Sequence, residues 1–261
     1  MRMKKILGLL LLTLSVFCVS TTAQIAAYTE GESLAYEAKI SKVIFRGLSV
    51  ADLNFTVSRS PESRDFLVKA EARSKGTLTK ILNFKFYQRI QSTVDDETLF
   101  VKRTVKRDEQ GDDRIRDSEA LFDYKEKKVI YVETDPNDTA KAPRQIASPI
   151  EDNTQDLITG IYTLRRLPLA VGKTFELKIS DSGLVYKIPV RVTAREQQKT
   201  ILGRVWCFRI EPQVFGANRI IDNDGSMIIW ITDDVRRMPV RAQINVDIGK
   251  IEVKLKKIEI Q

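Results

Sequence analysis

The sequence predicts a mainly β protein: a large, curved antiparallel meander, an open barrel or a two-layer sheet, with one amphipathic helix near residues 153–167. Three observations predict it. Segments with strict apolar–polar alternation recur along the chain, the signature of strands with one buried face. Only Asn153–Leu167 repeats its apolar residues at helical spacing. About a dozen strands result, and that many twisted strands curl into an open barrel or split into two packed layers.

The chain opens on a leader. Residues 1–23 have a basic start (Arg2, Lys4, Lys5), an apolar run from Ile6 to Val19, and small residues at Thr21 and Ala23. This is the layout of a secretory signal peptide cleaved after Ala23, and the run is short for a membrane span. Lipidation at Cys18 is the lesser reading, because Phe17 stands where lipoprotein processing needs a small residue. The protein is therefore expected to be exported to the periplasm or cell envelope, with no stable membrane span once the leader is removed.

Residues 28–261 read as one β-rich domain. Leu34, Tyr36, Ala38 and Ile40 form the apolar side of a first strand. Ala51, Leu53, Phe55 and Val57 follow after a turn at Gly47, then Phe66, Val68, Ala70 and Ala72 after a turn at Pro61–Ser63. Residues 76–82 suit one helical turn capped by Thr77. Phe84–Val94 and Leu99–Arg107 make a hairpin across residues 95–98. Residues 108–118, densely charged and holding Gly111, read as a loop or an exposed strand end. Two short strands, Glu119–Tyr124 and Lys128–Thr134, close this half.

From Asp135 to Glu151 the periodicity vanishes and three prolines occur, which predicts a loop or linker. The helix then starts on Asn153 or Thr154 as cap. Leu157, Ile158, Ile161, Tyr162 and Leu164 give it an apolar face, Arg165 and Arg166 suit its C-terminal turn, and Pro168 ends it. Strands resume at Thr174–Ile179, Leu184–Glu196 and Val205–Val214. The clearest hairpin is Ser226–Ile248, where Val240, Ala242, Ile244, Val246 and Ile248 share one face. Lys250–Ile260 is the last strand, with Ile251, Val253 and Leu255 facing in. Residues 28–134 and 172–261 show parallel motif order (Gly31-Glu-Ser-Leu with Gly172-Lys-Thr-Phe, Thr93-Val-Asp-Asp with Ile231-Thr-Asp-Asp). An internal duplication and a chance likeness between β-rich segments both account for this.

Composition excludes more chemistry than it suggests. With no histidine, His-based metal sites and Ser–His or Cys–His catalysis are ruled out. Beyond the leader only Cys207 remains, in an apolar strand, so it reads as a core residue and no internal disulfide forms. The net charge of +8 is interspersed along the strands, not clustered with aromatics as on a nucleic-acid surface, so no nucleic acid is expected as partner. Asp95–Asp96, Asp112–Asp113 and Asp233–Asp234 are the paired carboxylates that a glycosidase would need, yet Asp pairs favour turns. Asp222-Asn-Asp-Gly has oxygen ligands for calcium but lacks the further acids of an EF-hand loop, and reads as a hairpin turn. Phosphate-loop, dinucleotide, nucleophile-elbow and zincin motifs are absent. No cofactor is implied, and no catalytic residue.

Asp156-Leu-Ile-Thr-Gly-Ile-Tyr-Thr-Leu-Arg-Arg-Leu-Pro-Leu-Ala-Val-Gly172, with the segments Gly203–Pro212 and Trp230–Val240, resembles the exported bacterial family DUF 3108. Gly31-Glu-Ser-Leu-Ala-Tyr36 and Phe86-Tyr-Gln-Arg fit the resemblance too, which spans roughly residues 31–257. It implies a mostly β envelope protein and carries no catalytic residues.

The first functional reading is a non-enzymatic binding module for an apolar or lipidic ligand. Leu157, Ile161 and Leu164 would cover the mouth of a pocket walled by Phe55, Phe86 and Trp230. The alternative is a structural envelope protein with a filled core that docks a partner through an edge strand or the charged segment Lys102–Arg116. A polysaccharide hydrolase is the remote third. An interior of several hundred Å³ favours the first reading and a dry interior the second.

Overall fold

The computed structural model describes residues 27–42, 45–77, 80, 85–111 and 114–260. The leader with Cys18, Phe84 and the Asp112–Asp113 pair lie outside the described residues.

Among the described residues, fourteen strands form a single antiparallel sheet. They are β1 (Glu32–Lys42), β2 (Phe45–Arg59), β3 (Phe66–Ser74), β4 (Phe86–Val94), β5 (Val101–Gln110), β6 (Arg114–Asp123), β7 (Lys128–Thr134) and β8 (Arg144–Pro149). After the helix α1 (Leu157–Arg166) come β9 (Thr174–Asp181), β10 (Leu184–Thr200), β11 (Gly203–Pro212), β12 (Ser226–Thr232), β13 (Pro239–Val246) and β14 (Gly249–Ile260). Sequence neighbours are sheet neighbours except at β8 and β9, which form the two edges, while β1 pairs with β14 in register from Glu32↔Ile260 to Ser41↔Lys250. The result is an up-and-down barrel left open along one seam. Bulges at Ala35/Tyr36, Thr93/Val94, Val192/Ala194 and Trp230/Ile231 supply the local twist that such curvature needs.

The seam is bridged, not hydrogen-bonded as a ladder. The hydroxyl of Ser148 on β8 donates to the carbonyl of Gly183, in the β9–β10 turn, at 2.6 Å. Gly183 has φ +83°, and a Cβ there would lie 2.8 Å from Ile146 Cβ, so only glycine lets the turn close on β8. On the other side Gln155 pairs in parallel with Ile179, covering part of the β9 edge: Gln155 N donates to Lys178 O at 2.8 Å and Ser180 N to Gln155 O at 2.7 Å.

The helix stands inside this barrel. Seven of its ten residues are buried, the polar Thr159, Thr163 and Arg165 among them. On one side Leu164 joins Ile179, Ile188, Phe208, Ile210 and Ile231 from β9–β12. On the other, Ile158 and Tyr162 pack with Val57, Phe66, Val68 and Ile90 from β2–β4. Tyr28 stacks between Phe66 and Tyr162, with ring centroids 5.4 and 5.1 Å away.

Of the two readings for residues 108–118, the strand end fits: 108–110 end β5 and 114–118 open β6, where Arg107 binds Asp117 across the hairpin at 3.1 Å and Glu109 along its own strand at 2.7 Å, so paired charge replaces apolar alternation. Other expectations are corrected. Within the expected linker 135–151, residues 144–149 form the edge strand β8, flanked by Pro143 and ended by Pro149, as edges tolerate. Asp156, not Asn153 or Thr154, caps α1. Asn153 takes the left-handed conformation (φ +61°), and the Thr154 hydroxyl turns back to Glu151 O at 2.6 Å. Thr77 lies within a helical turn and its hydroxyl donates to Ser49 O at 2.7 Å, while residues 78–79 and 81–82 of the expected turn lie outside the described residues. Ile248 falls past the end of β13, in the exposed turn to β14.

On the outer face of β1, Glu37 accepts from the Ser49 hydroxyl at 2.6 Å and from Lys75 at 3.3 Å, with Lys256 at 3.1 Å. The serine hydrogen bond, then these lysines, lower its pKa from 4.5 to about 2 despite some desolvation. A carboxylate whose folded pKa lies below its unfolded value stabilises the fold above the unfolded pKa, and that contribution disappears as pH falls through the folded one. The melting temperature is therefore expected to drop between roughly pH 4.5 and 2, and Glu37→Gln should flatten part of that drop in a pH series of thermal melts. An unchanged profile would show that the cluster contributes nothing.

Candidate functional site

Between α1 and the apolar arc of the barrel lies a cavity of about 570 Å³. The helix lines it with Leu157, Gly160, Ile161 and Leu164, which share a face at i, i+3, i+4 and i+7. Gly160 keeps the helix close to β9, since a Cβ there would meet Ile179 Cδ1 at 2.7 Å. The sheet contributes inward-facing residues of β1, β2, β9, β10 and β12–β14, among them Leu34, Phe55, Ile188, Ile229 and Ile244. The loop between β11 and β12 adds Val214, Ile220 and Ile221. It holds its own shape through Gly216 N to Ile221 O (3.0 Å) and Ile221 N to Val214 O (3.0 Å), and Arg219 ties it to Lys187 O at 2.8 Å. The Asp222-Asn-Asp-Gly segment belongs to this loop.

Of the wall and cover residues expected from the sequence, Phe55, Leu157, Ile161 and Leu164 lie along the cavity. Phe86 does not. It packs with Ala38, Ile40, Val50 and Ala51 in a separate cluster. Trp230 is on the opposite face of the sheet from Ile229, because Met227, Ile229 and Ile231 take the interior positions of β12 and strand residues alternate. Its Nε1 donates to Glu196 Oε1 at 2.5 Å, and the Arg241 guanidinium lies 4.5 Å from the ring centroid. The helix is also no lid: with both flanks packed, it is an internal pillar, and Ile220–Ile221 were missed. Their one signal was an apolar pair inside an otherwise polar, aperiodic loop.

Charged side chains reach the cavity at Asp181, on the end of β9, at Arg241 on β13, and at Arg165 near the C-terminal end of α1. Arg165 forms a bidentate ion pair with Glu32 (NH1–Oε1 2.7 Å, NH2–Oε2 3.0 Å), the side chains being 3% and 1% exposed. Its NH2 also donates to Arg236 O at 3.2 Å. Tyr36 donates its hydroxyl to Pro239 O at 2.8 Å. Burial first, then the charge of Glu32, raises the Tyr162 phenol above its ordinary range, so it stays protonated. At the other end of α1, the Asp156 carboxylate accepts from Ile158 N (3.0 Å), Thr159 N (2.9 Å), the Thr104 hydroxyl (2.6 Å) and the Ser92 hydroxyl.

Elsewhere, reactive-looking groups are engaged. Cys207 is buried, and desolvation pushes its thiol up to about 12. Asp95 accepts from Thr98 N at 2.8 Å in its turn, and Lys102 holds its carboxyl far below the usual range. For Asp234 burial acts upward, but hydrogen bonds from Arg236 and Thr232 outweigh it and keep the acid ionised. Among the described residues, no three His, Cys, Asp or Glu gather as metal ligands. A wider cleft of about 650 Å³ follows the open seam. Within it Glu151 pairs with Lys178 at 2.6 Å and with Lys187 at 2.8 Å.

The model of the family described as "Protein of unknown function (DUF3108)" matches residues 36–256. The chain belongs to this family. The DUF3108 chain is similar in fold to a β-barrel-like protein of the domain of unknown function DUF1849 from Brucella abortus, with a TM-score of 0.61 at 12% identity over 90% of this chain and 100% of that one. A Bacteroides fragilis protein with a YmcC-like fold, proposed to be exported, aligns over 89% of this chain and 97% of its own at 10% identity, with a TM-score of only 0.38. No curated protein matches. Among the described residues of this DUF3108 chain, no helix is long and apolar enough to cross a membrane.

Proposed function

We propose that this DUF3108 chain is an exported, non-enzymatic binding module that holds an apolar or lipidic ligand in the cavity beside α1. The observation that carries the reading is the cavity: about 570 Å³, walled almost wholly by aliphatic and aromatic side chains. A volume of several hundred Å³ suits a small-molecule ligand, whereas close-packed interiors leave few voids larger than a water. A structural protein with a filled core has no use for such a space. The charged stretch considered for docking, Lys102–Arg116, lies in β5 and β6, where Arg103 pairs with Glu119 at 2.5 Å and Arg107 with Asp117. The basic, apolar and small-residue pattern of residues 1–23 supports export.

Native mass spectrometry of gently purified protein tests the reading, followed by extraction and identification of the bound species. A co-purifying lipid is expected. Ile161→Asp places a carboxylate in the apolar wall and should lower occupancy about tenfold or more, with the far-ultraviolet circular dichroism of the sheet retained. A clean unliganded mass, with no uptake of added lipid, would overturn the proposal.

A further inference from the structure

We propose that the end of the β10–β11 hairpin, with the β12–β13 turn beside it, docks on the surface of an anionic lipid bilayer. The proposal does not depend on what the cavity holds.

Beyond the β11–β12 ladder, which spans Cys207–Ile210 on β11, the hairpin continues as two strands alone. Gln197↔Trp206 and Lys199↔Arg204 pair on one of its faces, Glu196↔Cys207 and Gln198↔Val205 on the other. The second face is spent inside the protein. Glu196 accepts from Trp230 Nε1, Gln198 Oε1 accepts from Arg241 at 2.9 Å, and Leu202 and Val205 pack against the cluster that holds Trp230 and Cys207. The first face is left outward, with Trp206 44% exposed. Asp233 N donates to Trp206 O at 2.8 Å, which sets the β12–β13 turn alongside, and there Val235 is 72% exposed. Ile201, in the hairpin turn, is 49% exposed. Single exposed apolar residues are ordinary, but three large ones on two adjoining turns mark an interaction site.

Charge names the partner. Asp233 pairs with Arg195 at 2.6 Å and with Arg237 at 3.4 Å, and Asp234 pairs with Arg236 at 2.5 Å. The Arg195 guanidinium also lies 4.4 Å from the Trp206 ring centroid and fixes the indole. Lys199 and Arg204, across from each other, have no anionic partner among the described residues. Five cations therefore face two carboxylates, and the surplus attracts a negative surface. None of these residues lines either cavity described above, so no concave pocket waits for a protein side chain. Separate apolar side chains among free cations suit a bilayer interface. There an indole sits at headgroup depth, and lysine and arginine reach the lipid phosphates.

Vesicle sedimentation at low salt tests this with gently purified protein. Phosphatidylcholine vesicles are compared with vesicles holding roughly one-third phosphatidylglycerol. Wild type is expected to bind the anionic vesicles about tenfold or more tightly than the neutral ones, and added salt should release it. Lys199→Glu with Arg204→Glu should weaken anionic binding about thirtyfold or more, and any contribution of residues 1–23 is common to both proteins. Both variant side chains are exposed, so circular dichroism should not change. The chain has two tryptophans, and Trp230 is 5% exposed with its N–H bonded, so a blue shift of emission on adding vesicles reports Trp206. Trp206→Phe should abolish the shift. Absence of binding to anionic vesicles, binding that the double charge reversal leaves unchanged, or emission that does not move overturns the proposal. Self-association lost on charge reversal, or a cross-linker at Ile201 that captures one protein while vesicles are ignored, assigns the patch to a protein and overturns it too. None of these outcomes bears on ligand uptake by the cavity.

Discussion

Replacing Arg165 with alanine is expected to lower unfolding stability by about 3–5 kcal/mol, the cost of stranding one member of a buried ion pair. Glu32 would keep a carboxylate that is 1% exposed, with its bidentate partner gone. The pair joins the end of α1 to the start of β1, and Arg165 NH2 also reaches Arg236 O in the β12–β13 turn, so three elements lose a shared tie. Urea unfolding measures the loss. The double variant Glu32→Leu with Arg165→Met removes both charges and keeps apolar volume, and it should regain most of what the single change costs. A single-variant loss under about 1 kcal/mol, the scale of an exposed pair, would mean that this contact is solvated.

Asp156→Ala is the second large effect, about 3–4 kcal/mol. Loss of an N-cap side chain costs roughly 1 kcal/mol. Here the same carboxylate also accepts from the buried Ser92 and partly buried Thr104 hydroxyls, and donors left unsatisfied in the interior add about 1–3 kcal/mol. Thr159 completes a capping box by accepting from Asp156 N at 3.0 Å. One residue thus starts the helix and pins it to β4 and β5. Asp156→Asn keeps a carbonyl for the helix N–H groups and should cost about half as much. If alanine melts within experimental error of wild type, the helix is held by its apolar contacts alone.

The strands were legible wherever one face is apolar. The alternation Leu34, Tyr36, Ala38, Ile40 reappears as buried positions on β1, and Lys128–Thr134 is β7 residue for residue. The pattern failed where cross-strand charge does the work of apolar packing, as in β5 and β6 near Arg107 and Asp117. It failed again for β8, a six-residue edge with prolines at both borders, because edge strands need few of the usual signals. The cap of α1 was misplaced because Asn153, Thr154 and Asp156 are all competent cap residues. Only the left-handed backbone at Asn153 and the hydroxyls of Ser92 and Thr104 select among them. For the cavity, helical spacing put Leu157, Ile161 and Leu164 on one face, and the alternation of β2 put Phe55 on another. Trp230 was misassigned because alternation says which residues share a face, not which face is inside. Arg165 read as a terminal cation. Its importance depends on Glu32, which the fold alone brings near.

The open seam lies between β8 and β9, consecutive in the strand order, whereas β1 and β14, the first and last of these fourteen strands, pair with each other. Each arm of the meander grows by short hairpins, whose loops close cheaply and quickly. The β1–β14 ladder is the opposite, the longest loop closure in the molecule. Since β14 is the last of the fourteen strands to be synthesised, the nascent chain carries two half-finished sheets with exposed apolar faces until that strand emerges. Through that interval, when the unpaired β1 edge is open to the wrong partner, the chain has the most to gain from a chaperone.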